Sequence, residues 1–483
     1  MNTQKQTMQK NKAVRGIAWS AIERFSVQGV QFLVSIVLAR LLTPADFGLI
    51  AIVLVFSIIF QTINESGLNS ALIYKQDRDE LDFSTAFYTN IVIGIVSYLL
   101  LFFASPWIAS FYESNELISV MRVLSLNLII SSLGLVHLAK YTINVDFKTQ
   151  ARASLIAALI SGTIGIVTAY ISHSVYAIVA QQLTNNFIYV LLMWIFAKWK
   201  PMLAFSFIRF KILFTYAYKL ILARLISVLF DDIYSLAIGK LYSPTVLGYY
   251  NRAMSFRSVL SRNLISIVQR VSVPVLCEAQ KNNNEMQKVL LKFMSMTALI
   301  VYPLLAGLMV LSKPLVFVVL GEKWIETSTM LLLGCPVGFF YLISTFNRNV
   351  FNATGRTDWA LKAEVIKKII FIGVFLITMQ YQIKVLLIGL IVISIIEMVI
   401  DTAYSRMQIG ISLYTQIKSL FGILCAVFVM SFVVAIMTCL ISNAYIQLIA
   451  GFAVGVLVYS TICYLFDICN FRKELRNAVN KRF

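Results

Sequence analysis

The 483-residue chain is 59% hydrophobic and 13% charged, with 41 Lys and Arg against 22 Asp and Glu, a formal net charge of +19 and a mean hydropathy of +0.82. Ordinary globular domains carry about 25% charged residues, and half that number would leave wide apolar surfaces in water. The solvent is therefore mostly lipid, which excludes a secreted disulfide scaffold, a disordered chain, a cytosolic enzyme and a nucleic-acid-binding module.

In chain order, a polar, basic tail (residues 1–13) precedes a series of apolar runs of roughly 20 residues, each able to cross a hydrocarbon core about 30 Å thick. About fourteen spans are expected, near 14–41, 46–73, 84–105, 117–140, 152–172, 175–197, 213–239, 247–273, 289–312, 328–347, 359–379, 383–403, 414–441 and 444–466. Continuous runs such as LLIGLIVISIIEMVI argue against a β-barrel, whose strands alternate. The fold class expected is an all-α polytopic membrane protein. No small-residue cleavage site follows a short apolar core, so the first span is expected to remain in the mature protein.

Basic residues concentrate on the cytoplasmic side of membrane proteins. With both termini inside, the inside segments hold about 28 basic residues and the outside ones about 5, namely Arg40, Lys240, Lys313, Lys323 and Lys384. This asymmetry favours an even number of spans with cytoplasmic ends, and it accounts for the positive charge without nucleic acid.

Several chemistries find no support. The six cysteines lie in or beside apolar helices without a C-x-x-C pair, and His137 and His173 are far apart, so no metal site is expected. The segment Asn352–Thr357 lacks the spacing and lysine of a phosphate-binding loop, which argues against ATP hydrolysis. The polar segments, near 74–83, 198–212 and 274–288, are too short for a glycosyltransferase or kinase domain. A non-enzyme without cofactors is expected.

An internal repeat organises the chain. Ala39-Arg40-Leu41-Leu42-Thr43-Pro44-Ala45-Asp46-Phe47-Gly48 returns 200 residues later as Gly239-Lys240-Leu241-Tyr242-Ser243-Pro244-Thr245-Val246-Leu247-Gly248, and Arg24 and Ser35 match Arg224 and Ser235 at the same offset. Two six-span lobes of the same orientation follow, 14–197 and 213–405, joined by a cytoplasmic linker at 198–212. Two further spans (406–466) and a cytoplasmic tail (467–483) complete the chain.

Polar stripes mark the first two spans of each lobe. Ser20, Arg24, Gln28, Gln31 and Ser35 share one face of span one; Ser57, Gln61, Asn64 and the adjoining Glu65 mark span two. Arg224, Ser227, Asp231 and Ser235 repeat the pattern in span seven, and Arg252, Ser255, Ser258, Arg262, Ser266 and Gln269 in span eight. A charge at the bilayer centre costs roughly 2.5–3.5 kcal/mol on insertion scales, so these residues should face a cavity or a partner. Four striped helices suggest a polar cavity between the lobes. The competing reading is helix pinning, by Arg24 on Glu65 and by Arg224 on Asp231 or Asp232. Arg40, Lys240 and Arg270 read as snorkelling anchors at span ends. Glu397 and Asp401, one turn apart, read as an end-of-helix polar pair or an ion site, and Gly451 and Gly455 as a helix-packing pair.

The Leu-Thr-Pro-Ala-Asp-Phe-Gly turn after span one, the Glu65–Ile73 end of span two and the Leu-Gly-Tyr-Tyr-Asn-Arg-Ala start of span eight resemble the Wzx-type polysaccharide exporters of the multidrug/oligosaccharidyl-lipid/polysaccharide superfamily. The resemblance implies a two-lobed transporter in the bacterial cytoplasmic membrane. It would move an undecaprenyl-diphosphate-linked oligosaccharide to the outer leaflet for O-antigen, capsule or teichuronic-type polymers, as a monomer working beside other polysaccharide-assembly membrane proteins. For that cargo Arg24, Arg224 and Arg262 would hold the diphosphate, since Arg binds phosphate oxygens bidentately and keeps its charge when partly buried. Gln28, Gln31, Gln61, Asn64 and Tyr250 would contact sugar hydroxyls. Glu65, Asp231 or Asp232 would couple the cycle to a proton or sodium gradient. Two alternatives stay open: a cation-coupled drug antiporter, for which an acidic cavity is expected, and a polysaccharide polymerase or ligase, for which a large extracytoplasmic loop is expected.

Overall fold

A computed structural model describes residues 26–197, 199–470 and 472. Every regular element among them is helical. Eleven helical stretches are long and apolar enough to cross a membrane: Pro44–Tyr74, Glu80–Phe111, Glu116–Ile143, Phe147–Ser172, Tyr176–Ala197, Phe207–Leu241, Asn283–Val310, Glu326–Thr354, Ile383–Ile409, Leu413–Leu440 and Ala444–Leu465. Each coincides with a span expected from hydropathy. Helix also occupies the described residues at the other three expected positions. At 14–41 only Ser26–Leu41 (α1) is described. At 247–273 two helices, α10 (Pro244–Ser258) and α11 (Leu264–Glu278), are joined by a π-helical turn, Val259–Asn263. At 359–379 stands α16 (Thr357–Thr378), which carries Asp358, Lys362, Glu364, Lys367 and Lys368.

The chain divides into two compact units, Met1–Gly248 and Tyr249–Phe483. In the first unit, α2 (Pro44–Ser66), the short α3 (Leu68–Tyr74) and α4 (Glu80–Phe111) precede α5 (Glu116–Leu124), α6 (Leu126–Ile143), α7 (Phe147–Ser172) and α8 (Tyr176–Ala197). Helix α7 packs on α8, and α6 on both α4 and α8. The long α9 (Phe207–Leu241), which the repeat sets at the head of the second lobe, packs on α2, α3 and α4. Its Leu213, Ala217 and Ile221 join a core with Leu68, Leu72, Phe83, Phe87 and Val136. The segment after α8 is stitched down as well: the Met202 N–H donates to Ser84 Oγ (2.9 Å) and the Ser206 N–H to Thr85 Oγ1 (3.2 Å).

Both copies of the repeated turn start a helix by the same device. Thr43 caps α2 with Pro44 at the first helical position, and the box closes because the Thr43 N–H donates to Asp46 Oδ2 (2.8 Å) while the Asp46 N–H donates to Thr43 Oγ1 (3.3 Å). In the second copy Ser243 Oγ accepts from the Val246 N–H (3.2 Å), and no carboxylate completes the box. The paired glycines have a packing reason. A Cβ at Gly48 would run into the Pro244 carbonyl, and one at Gly248 into the Pro44 carbonyl. The two turns therefore meet backbone to backbone, where only hydrogen fits.

The second unit contains α12 (Asn283–Val310), α13 (Ser312–Leu320), α14 (Glu326–Gly334), α15 (Pro336–Thr354), α16, α17 (Ile383–Ile409), α18 (Leu413–Leu440) and α19 (Ala444–Leu465). Helix α17 packs on α15 and α16, α12 on α11 and α18, and α19 on α13 and α18. Gly451 closes on Leu311, and Gly455 faces Val434, so the small pair in the middle of α19 serves helix packing.

Candidate functional site

In the first unit α2 packs along α9. The two helices run antiparallel: Gly67, just past α2, faces Ala217 and Ile221, and Ile52, near its start, faces Gly239. This register sets Gln61, Asn64 and Glu65 at the level of Arg224. Glu65 is exposed and accepts a 2.5 Å hydrogen bond from Gln61 Nε2. Asn64 is 1% exposed, and its amide finds no hydrogen-bond partner among the described residues. Arg224 is exposed and forms no ion pair with Asp231 among the described residues. Asp231 is exposed and Asp232 half-buried. Gln28 is half-buried on α1 and Gln31 exposed. Arg24 lies outside the described residues, and with it the expected partnership with Glu65.

In the second unit the stripe of span eight passes through the π-helical turn, which carries Arg262 at an exposed position. Single π turns widen a helix and recur at functional sites. One turn earlier Arg257 Nη1 donates to the Gly334 carbonyl (3.2 Å). Arg252 is buried, with its guanidinium carbon 5.6 Å from the Trp324 ring centroid. Tyr250 is buried too, 8% exposed, so its ring is part of the packing at the head of the unit rather than an open surface.

Sequence reasoning missed a second polar centre in this unit. Lys367 on α16 is buried and donates to Asp401 Oδ1 on α17 (3.0 Å) and to Glu364 Oε1 (2.6 Å). Ser344 on α15 donates to the other oxygen of Asp401. Beside it Asn347 and Gln416 exchange amide hydrogen bonds of 2.9 and 3.0 Å, and Asn347 also donates to Thr402 (3.2 Å). Arg348 stands at the edge, 3.8 Å from Glu364 and 4.0 Å from Asp401, and donates to Thr345 Oγ1 (3.2 Å). A polar pocket of about 380 Å³ opens next to it, where α11, α15 and α16 meet. The available signal was the charge itself, because Lys367 and Asp401 interrupt apolar runs. Asp401 does not pair with Glu397 one turn away; its partners come from α15 and α16.

Among the described residues no cluster of three or more His, Cys, Asp or Glu could hold a metal ion.

A family model described as "Polysaccharide biosynthesis protein" matches residues 37–329. The chain is 26% identical over 347 residues to the teichuronic acid biosynthesis protein TuaB of Bacillus subtilis (strain 168), covering 71% of this chain and 72% of that one. It is 26% identical over 370 residues to the lipopolysaccharide biosynthesis protein WzxC of Escherichia coli (strain K12), covering 76% and 75%. Among solved structures it is similar to the lipid II flippase MurJ in an inward closed conformation, with a TM-score of 0.74 at 18% identity over 92% of this chain and 98% of that one. That likeness shows the fold.

Proposed function

Because the chain belongs to the polysaccharide biosynthesis protein family, we propose that it carries undecaprenyl-diphosphate-linked oligosaccharide from the cytoplasmic to the outer leaflet of the bacterial cytoplasmic membrane, as a step in cell-surface polysaccharide assembly. The observation that carries this reading is the family match, which runs through both units and is joined by relatives named for the biosynthesis of two different surface polymers. The physical chemistry agrees. A lipid-linked sugar has an apolar tail at home in the bilayer and a head whose charge and hydroxyls need a polar path through hydrocarbon. Exposed arginines on otherwise apolar helices supply such a path.

In this reading Arg24, Arg224 and Arg262 bind the diphosphate, and Gln28, Gln31, Gln61 and Asn64 meet sugar hydroxyls. Glu65, Asp231 and Asp232 are the acids available for proton or sodium coupling, and Glu65, already bonded to Gln61, would exchange that bond for a cation. Fourteen spans in two repeated six-helix lobes plus a final pair, with both termini cytoplasmic, would let alternating access present the stripes to each side in turn. The work is transport of an intact molecule, without a covalent step.

The test is movement of a labelled undecaprenyl-diphosphate oligosaccharide across liposomes holding the purified protein. Wild type should transport it, and Arg224→Ala and Arg262→Ala should each lose at least about ten-fold in rate, the effect of one lost charge-assisted contact. Unimpaired transport by both variants would remove the arginines from the assignment; absence of transport by wild type would remove the function.

A further inference from the structure

The pocket in the second unit has a lining unlike that of the stripes. Gln269, Asn349 and Asn352 bring carboxamides, Tyr341 an aromatic face, Arg348 a guanidinium and Glu364 a carboxylate. Its volume, about 380 Å³, lies within the ordinary range for small-molecule sites. We propose that this pocket is a saccharide subsite, which takes one or two uncharged sugar rings of the lipid-linked cargo while its diphosphate lies elsewhere.

Charge balance selects the ligand class. Arg348 at the wall and Lys367 behind it are matched by Asp401 and Glu364, so an anion entering the pocket meets no net positive charge from them. A hydroxyl, which both donates and accepts, finds a partner in every polar group there. Arg348 has donors to spare. Its side chain is 35% exposed, its carboxylate partners lie at 3.8 and 4.0 Å, beyond the usual length of a charge-assisted bond, and its hydrogen bond goes to Thr345. Asn349 is a second open donor. Gln269 Nε2 donates to its Oδ1 (3.0 Å), and its Nδ2, on a residue 2% exposed, has no partner among the described residues. A native protein rarely leaves a buried amide hydrogen unpaired without a use for it. The Tyr341 ring offers the flat apolar surface that the C–H face of a pyranose covers.

The rigidity of the wall follows from what lies behind it. Lys367, Asp401 and Ser344 are buried and hydrogen-bonded together, and the buried Asn347–Gln416 pair lies beside them; this holds Arg348 and Glu364 at set positions, and fixed positions are what discrimination between hydroxyl patterns requires. The pocket also sits close to the turn between α15 and α16: Asn352 and Ala360 lie within about a turn of Arg356, on the side that the distribution of basic charge makes cytoplasmic. Cargo would meet it on loading. This inference rests on the flippase reading and adds to it the place where sugars are recognised.

The experiment uses the full-length protein in liposomes and two cargoes: the undecaprenyl-diphosphate oligosaccharide pool extracted from the protein's own cells, and undecaprenyl diphosphate without sugar. Ala360→Trp fills the pocket from its rim, Asn352→Leu removes an exposed amide, and Leu361→Trp places the same indole on a neighbouring residue that is 66% exposed and does not line the pocket. Expected is a rise of about ten-fold in half-saturating oligosaccharide concentration for Ala360→Trp and a smaller rise for Asn352→Leu, with Leu361→Trp like wild type. The sugar-free lipid should be handled equally by all four proteins. If Ala360→Trp fails to fold, Asn352→Leu decides alone. Unchanged half-saturation in the pocket variants, with wild type active, overturns the subsite and leaves the flippase reading standing. An equal loss with the sugar-free lipid also overturns it. No movement of either cargo by wild type overturns both.

Discussion

Each unit holds an ionic network, and the two are built from the same residue types to opposite effect. In the first unit Asp82, in the first turn of α4, accepts from Lys75 (2.6 Å) and from Arg209 (3.3 Å); Arg209 also reaches Asp79 (3.0 Å), and Lys140 pairs with Glu80 (2.9 Å), which accepts from the Trp199 indole as well (2.6 Å). These groups stand at helix ends and in the segments joining them, where water reaches every charged member except Asp82, whose carboxylate is buried beneath its cations. They tie the chain entering α9 to the start of α4. In the second unit Lys367 and Asp401 face each other in mid-helix with almost no exposure. The lesson is that an ion pair's weight depends on what surrounds it: at a wet helix end Coulomb attraction is screened, and in a buried site the cost of leaving either charge alone is large.

The largest expected effect comes from breaking the buried network. Asp401→Ala leaves Lys367 charged and buried with Glu364 as its remaining partner, and should destabilise the second unit by about 3–5 kcal/mol, read from thermal unfolding in detergent. The double replacement Lys367→Met/Asp401→Leu should recover most of that loss, because removing both charges removes the penalty. Recovery of nothing would mean that the pair contributes by attraction rather than by mutual neutralisation.

A smaller loss is expected at the wet end. Asp82→Asn keeps the shape but weakens the bonds to Lys75 and Arg209; although Asp82 itself is buried, both cations reach water and Arg209 keeps Asp79, so the loss should be roughly 1 kcal/mol. Raising salt to 1 M, where the Debye length is about 3 Å, should erase much of the Asp82→Asn difference and leave the Asp401→Ala difference in place. Equal salt sensitivity in the two networks would remove the distinction drawn here.

The smallest effect is at Lys240–Glu113 (2.7 Å), where the hydrogen bond and charge of Lys240 hold the Glu113 carboxyl below its ordinary value of 4.5. A lowered pKa means that any stabilisation by this pair is present above the unfolded value and disappears as pH falls through the folded one. Lys240→Gln should therefore show its full effect at neutral pH, a small one because both groups are largely in water, and the two proteins should converge under acid. Asp79, held below the ordinary carboxylate range first by the Asp82 N–H and then by Arg209 and Lys75, should protonate in the same acid window, loosening the cap of α4.

Much of the fold was legible because hydropathy is a local property. Eleven expected spans became helices at nearly their expected bounds, and the Thr-Pro and Ser-Pro turns cap helices as their residue types require. Of the other three expected positions, 14–41 is described only from Ser26, 247–273 carries the stripe that includes Arg262, and 359–379 carries the buried Lys367. Candidate site residues were legible as a type, an arginine or amide on an apolar helix, but not as a partnership. Glu65 is bonded to Gln61 on its own helix, and Tyr250 is buried. Asp401 finds Lys367 34 positions away and Ser344 57 positions away, separations no periodicity encodes.

Sequence by itself determined that this chain lives in lipid, where its spans run, and that two of its turns are copies, because each follows from composition and spacing within one or two helices. Only the tertiary structure decided that the paired glycines let those turns touch, and which charges meet. It also set a neutral, sugar-sized pocket beside the buried pair. Those outcomes depend on helices distant in sequence lying side by side, and in a low-dielectric interior the neighbour, rather than the residue, determines what a charge does.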